Sequence, residues 1–502
     1  MSTAPPPLPD ADVDVLIVGA GISGLGAAYH LEHDLPGKTY AVVEARDAIG
    51  GTWDLHRYPG IRSDSDLFTF GYGFKPWKGD AIATGDAILA YLREVATENG
   101  IHRRIRFRTK VVAASWSTAD ARWTVDVEHT ETGERKRIRC GWIFSATGYY
   151  RYDQGYSPEF PGREQFEQAG GTVIHPQHWP EELDHTGKRV VVIGSGATAV
   201  TIVPSLAGRA EHVTMLQRSP SYVVPLPAKD RLADVLRAIL PEQRAHALIR
   251  RKNVSVQRAV WRLCQRFPKA ARKVIRRMNA KQLPAGYPVD EHFNPRYNPW
   301  DQRLCMVPDG DLFKAISAGT ASVVTDTIRT FTPTGILLTS GNHLDADIVV
   351  TATGLNLQPF GGIGLTVDGA PVQLPEKVAF KGMMLTEVPN FAFSIGYTNS
   401  SWTLKVGLLC EHFARLLAHM DAHGYDTCRP ALPPGLETRP LLDFEAGYVL
   451  RALSRLPKQG PGFPWLMSRD YLSDVKLLRH GPVDDPNLRF ASNAVRPERV
   501  PA

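Results

Sequence analysis

Two blocks of the chain share one pattern of apolar and polar positions. VDVLIVGAGISGLGAAYHL (13–31) and KRVVVIGSGATAVTIV (188–203) each run from unbroken aliphatics into a glycine-rich turn and then into small residues. An apolar run bounded by glycines predicts a strand covered on both faces, and the small residues after it predict a closely packed helix. Each block is followed by a second apolar run, TYAVVEAR (39–46) and HVTMLQRSP (212–220). Two further runs, IFSATGYY (143–150) and ADIVVTATGLN (346–356), read as buried strands ending in Ala-Thr-Gly. A different periodicity appears at 243–281, where Ile249, Val256, Val260, Leu263 and Phe267 recur at helical spacing beside a stripe of Arg251, Arg258, Arg262 and Arg266. That segment holds thirteen Lys or Arg and no Asp or Glu. It reads first as a helical subdomain packed on the second block, and second as a basic face for an anionic membrane.

The turns carry the chemistry. Gly19-x-Gly21-x-x-Gly24 after a strand and before a helix suits a dinucleotide. The first glycine allows the turn, the second lets backbone approach a pyrophosphate, and the third lets helix and strand pack. Glu44, at the end of the next strand, can accept hydrogen bonds from ribose hydroxyls, which suits FAD or NAD. Gly51, Thr52 and Trp53 of GGTW are expected to line a flavin ring. In the second unit the turn is Gly194-x-Gly196-x-x-Ala199, with Thr198 placed to meet a phosphate. Its next strand ends in Arg218-Ser219. An arginine there pairs with a 2′-phosphate that an acid would repel, so this site suits NADPH.

The expected fold is α/β, with two Rossmann-like dinucleotide-binding domains, one for FAD and one for NADPH. The NADPH domain is inserted in the FAD domain and carries a helical insertion. The expected boundaries are a disordered tail (1–12), the first part of the FAD domain (13–168), a linker (169–182), the NADPH domain (183–335) with its basic insertion at about 230–285, and the second part of the FAD domain with a C-terminal loop region (336–502). The five cysteines are scattered, with no CxxC pair and no metal-ligand spacing, which disfavours a dithiol reductase and a metal site. A net charge of +6 spread over the chain gives no case for nucleic acid. The first residues lack the basic start and apolar run of a signal peptide, so a cytoplasmic protein is expected, with peripheral membrane contact as a second option.

Between the two units lies GGTVIHPQHWP (170–180), too rich in Gly and Pro for a regular strand or helix to be expected. With Gly171, His175, Trp179 and Pro180, it resembles the G-x-x-x-H-x-x-x-W-P motif of class B flavin monooxygenases of the Baeyer–Villiger type. Ala169 stands where that motif opens with Phe. GGTWDLHRYPGIRSDSD, YNPWDQRLC, TATGLNLQ and GYTNSSWTLK are similar to the ethionamide-activating subgroup, and the likeness covers nearly the whole chain.

The resemblance implies insertion of one atom of O₂ beside a ketone carbonyl, through a C4a-peroxyflavin, to give an ester or lactone. Oxygenation of sulfides or thioamides is a further option. It implies that Arg303 is the cation beside the flavin and that Asp64 is its partner, with Asp66 as a second choice two residues on. It implies that Val111 contacts adenine and that His175 acts conformationally rather than as a proton donor. Lys405 is a weaker candidate near the flavin or substrate. The family's mobile SWYxGAN-like loop is missing, and LPKQGPGFPW (456–465) is the expected replacement, with Trp465 capping the nicotinamide. The rival readings are an N- or S-oxygenating flavin monooxygenase and a flavin redox protein without turnover.

Overall fold

The computed structural model describes residues 12–443 and 446–492, so the expected tail, apart from Asp12, lies outside the described residues. The first block forms strand β1 (Val13–Val18) and helix α1 (Ile22–Asp34). β1 pairs in parallel with β2 (Tyr40–Val43) and, after β3 (Thr109–Ser117) and β4 (Arg122–His129), with β5 (Arg135–Ser145). Along β1, Val15 and Ile17 enter one core while Leu16 and Val18 enter another, so both faces of this sheet are covered. That is why the run shows no polar alternation.

The second block builds a five-stranded, all-parallel sheet. It contains β6 (Thr172–Ile174), β7 (Arg189–Ile193), β8 (His212–Gln217), β9 (Ala321–Thr325) and β10 (Ile348–Thr351), in the spatial order β9-β8-β7-β10-β6. Helix α2 (Ala197–Leu206) follows β7. This sheet moves two expected boundaries. β10 pairs Val349 with Val191 and with Val173, so the second Ala-Thr-Gly strand belongs to the second unit, which therefore extends past 335. A wholly apolar strand carries no mark of which sheet it joins; the register decides. The 169–182 segment is also more than a linker, because Thr-Val-Ile of β6 forms the sheet edge. Its β-branched residues suit a strand, and the flanking glycines and prolines masked a run this short.

The insertion forms α3 (Arg231–Ile239), α4 (Glu242–Arg266) and α5 (Pro268–Ala280). The expected packing on the second unit holds only in part. α5 lies against strand Val223–Leu226, but α4 packs on the turn Leu67–Phe70 of the first unit. Arg250 donates from Nη1 to the carbonyls of Phe68, Thr69 and Gly71. Only Ile249 of the predicted apolar stripe is buried, while Val256, Val260, Leu263 and Phe267 face solvent.

Beyond β10 the chain returns to the first sheet. β11 (Gly364–Val367) pairs in parallel with β3, and β12 (Phe391–Phe393) with β5. Helix α6 (Trp402–His423) then packs against α1. Among the described residues no helix is long and apolar enough to cross a membrane.

Candidate active site

Both glycine turns open toward one cleft of about 550 Å³. Gly19 has φ +108, and a Cβ there would sit 2.6 Å from the Ala146 carbonyl oxygen. Gly194 repeats this in the second unit, with φ +139 and 2.4 Å to the Ala352 oxygen. In each unit the strand ending in Ala-Thr-Gly therefore lies against the first glycine of the turn, where only glycine fits. Gly24 and Ala199 are buried packing positions. Gly21 and Gly196 line the cleft, and nothing lies within 4 Å of a Cβ built on Gly196, leaving open approach to the N-terminus of α2. Thr198 in that first turn also lines the cleft.

From the first unit come Gly51, Thr52 and Trp53, on a single helical turn (Thr52–Leu55). Trp53 packs edge-on to Phe70, with centroids 5.7 Å apart. Glu44 is buried behind the wall and already accepts N–H groups from Ala20 at 2.7 Å and Arg46 at 2.9 Å. Burial pushes its carboxyl up, against the pull of those two bonds. Val111 is buried in β3 and is not among the cleft residues. In the second unit Arg218 is exposed, lines the cleft and has no ion-pair partner among the described residues. Ser219 stands beside it, its carbonyl accepting from Ser195 Oγ at 3.3 Å.

Asp64 and Arg303, 239 positions apart, meet in a two-point pair at 2.6 Å from Nε and 2.7 Å from Nη2. Backbone bonds fix both segments. Ser63 donates to the Ala83 carbonyl, and Cys305, at the start of strand Cys305–Pro308, donates to that of Tyr222. Arg303 is reachable by solvent through the cleft although protein surrounds it. Asp64 holds its guanidinium above the ordinary range, against burial, so the cation is permanent. The choice between Asp64 and Asp66 is thereby resolved geometrically. Asp66 caps the Leu67–Phe70 turn, accepting from Thr69 N at 3.0 Å and Thr69 Oγ1 at 2.6 Å, and also from Asn253 and Gln257 of α4.

Several cleft residues escaped the sequence reading. Tyr149 stacks on Trp402 at 5.1 Å, and Tyr448 lies on the same wall. Burial raises both phenols, so they stay protonated. Tyr149 follows the first Ala-Thr-Gly and could have been read from that motif, whereas Tyr448 has no local signal. His56 is held neutral, its pKa lowered to about 4 chiefly by burial and then by His175 and His178.

The 170–180 loop forms a clasp, tied back onto residues 151 and 152. A Cβ on Gly171 would meet the Phe166 ring at 2.4 Å, so this glycine makes room for that ring. His175 lines the cleft, its Nδ1 accepting from Gln177 N at 3.2 Å, while Nε2 is buried without a hydrogen bond. Burial lowers its pKa. Gln177, unremarked in the sequence, donates to the carbonyls of Arg151 and Tyr152 at 2.9 Å each. Trp179 packs into the core of the second unit, and Pro180 is exposed.

Trp465 and Lys405 both stand back from the cleft lining. Trp465 is 5% exposed, packs edge-on to Phe380 and lies outside the cleft, because the Gly/Pro run folds into a turn that tucks the indole into the core. Lys405 is not itself a cleft residue: it is buried in α6, pairs with Asp474 at 2.7 Å, and stands over the ring of the wall residue Tyr397, 5.7 Å from its centroid.

A family profile described as pyridine nucleotide-disulphide oxidoreductase matches residues 13–258. The chain is 54% identical over 482 residues to FAD-containing monooxygenase EthA of Mycobacterium tuberculosis (strain ATCC 25618 / H37Rv), covering 95% of this chain and 98% of the relative. Among solved structures, one of oxidized steroid monooxygenase bound to NADP superposes with a TM-score of 0.76 at 23% identity, over 96% of this chain and all of the other. An ε-caprolactone-bound cyclohexanone monooxygenase gives 0.72 at 20%, over 96% of this chain and all of the other. At those identities the likeness shows the fold.

Proposed function

The chain belongs to the FAD-containing monooxygenases, and from that premise we propose that it is an NADPH-consuming enzyme of the Baeyer–Villiger type. It converts a ketone, O₂, NADPH and a proton into an ester or lactone, NADP⁺ and water, and it also takes sulfides or thioamides at sulfur. The observation that carries this reading is the Asp64–Arg303 pair in a cleft that both glycine turns face.

The residues present fit both groups. The first unit offers the Gly19–Gly24 turn and the Gly51–Trp53 turn to FAD. The second offers the open approach at Gly196, the α2 N-terminus with Thr198, and the unpaired Arg218 to a 2′-phosphorylated nicotinamide nucleotide. When bound, reduced FAD activates O₂, with NADPH as its source of hydride.

The chain's own residues do the rest. Arg303 supplies a cation that does not titrate and several donors where negative charge develops on oxygen. A fixed donor at an oxyanion contributes roughly 3–4 kcal/mol. Asp64 orients that guanidinium through both nitrogens and limits its swing. Trp402, Tyr149 and Tyr448 wall the cleft with rings that exclude water. His56 and His175, held neutral by burial, add no competing charge.

The test is product analysis by mass spectrometry. The yellow protein is given NADPH and an arylalkyl ketone under ¹⁸O₂. An ester carrying one ¹⁸O is expected. Peroxide without ester, together with oxygenated amines in a parallel incubation, would overturn the ketone assignment in favour of N-oxygenation.

A further inference from the structure

We propose that the corner between α4 and α5 docks this enzyme on an anionic lipid surface. The inference starts from where apolar residues meet water. Of the fourteen large hydrophobics exposed among the described residues, nine lie between Leu232 and Val274, in the three helices of the insertion. Val256, Val260 and Leu263 form one stripe on the second half of α4, Phe267 stands at the corner, and Val274 follows on α5, each 47–59% exposed. The same stripe is buried about two to three turns earlier, at Ile249 and Ala245, where the first unit covers it. The helix thus outruns its support and carries an apolar face into solvent, a pattern that marks an interaction site.

Charge selects the occupant. Arg266 and Lys269 flank the corner, Lys273 and Arg277 follow along α5 and Lys281 ends it; all five are exposed and make no ion pair among the described residues. With no acid from Gln243 to Lys281, a second copy of this face would bring like charges together, which disfavours self-association. An anionic bilayer answers both features, since apolar residues enter the acyl boundary while long cationic side chains reach the phosphates. The face is presented rigidly. Asn253 and Gln257 bind Asp66, and Arg258 pairs with Asp470. None of these helices is apolar enough to span, so the contact is peripheral.

The test is vesicle flotation of the full-length holoprotein. Vesicles are phosphatidylcholine alone or with about one quarter phosphatidylglycerol, at low salt and at about 0.5 M salt. Expected is flotation with the anionic vesicles that weakens with salt and is poor on phosphatidylcholine alone. The double variants V260S/L263S and K273E/R277E should each lower partition roughly tenfold or more. Unchanged far-UV circular dichroism and NADPH oxidation in vesicle-free buffer show that both stay folded, since every changed side chain is exposed. No flotation on anionic vesicles, equal flotation on both lipids, or variants that float like the parent would overturn the proposal. So would light scattering in which V260S/L263S breaks a dimer of the parent, because the face would then join two copies.

Discussion

At the residue scale the proposed function rests on the Asp64–Arg303 pair, whose two members are assigned unequal parts. Arg303→Ala removes the cation but neither glycine turn. Oxygenated product is expected to fall by roughly 10²–10³-fold, while stopped-flow reduction by NADPH persists. Arg303→Lys should recover only part, because an ammonium cannot repeat the grip through Nε and Nη2. Full product formation in Arg303→Ala would remove this residue from the mechanism. Arg218 makes a separable claim. With no acid holding it among the described residues, its charge is open to a 2′-phosphate. Losing a hydrogen-bonded charge pair of that kind corresponds to roughly 10–100-fold. Arg218→Ala is therefore expected to raise KM for NADPH by that factor and to leave KM for NADH nearly unchanged. An equal rise for both nucleotides would refute the assignment.

At the element scale, both strand–turn–helix units could be read from sequence, because glycine spacing and unbroken apolar runs are local signals. Sheet membership could not. The strand at 348–351 looks the same whichever sheet it joins, and its pairing with β7 is a long-range fact. Trp465 fails for a related reason, since glycine and proline announce a turn but not the burial of the aromatic after it. Within the 170–180 loop, His175 and Trp179 were the conspicuous residues, yet the bonds that tie the loop back to 151–152 come from Gln177. Gln177→Ala would leave two carbonyls without their donor in a buried place, costing about 1–3 kcal/mol. A lower Tm is expected, together with more peroxide released per NADPH, as the clasp between the units loosens. An unchanged Tm and unchanged coupling would show that the clasp carries no load.

At the scale of the whole molecule, the cleft joins residues from both units and from the C-terminal segment, so only its motif-bearing parts were legible. Tyr448 reaches the wall from beyond both fingerprints. The burial of two histidines, His56 and His412, was likewise not legible in the sequence, and it bears on acid stability. His412 sits on the buried face of α6 with Nδ1 donating to the Leu478 carbonyl at 2.8 Å and Nε2 facing the Lys381 ammonium at 3.4 Å. Burial first, and Lys381 next, lower its pKa to about 3, while that of His56 falls to about 4. Unfolded, each would titrate near 6.5. Between 6.5 and the folded values the unfolded chain binds more protons, so stability is held above pH 6.5 and lost as pH falls. At pH 5 each histidine accounts for about 2 kcal/mol of that loss, large beside a typical folding free energy of roughly 5–15 kcal/mol. Unfolding followed by fluorescence at pH 7.5, 6 and 5 should show Tm falling across this window. His412→Gln, which cannot be protonated, should flatten the fall by its own share, while His56 and the likewise depressed His175, His246 and His292 keep theirs. A variant whose Tm drops with pH as steeply as the parent's would mean that groups other than His412 set the acid limit.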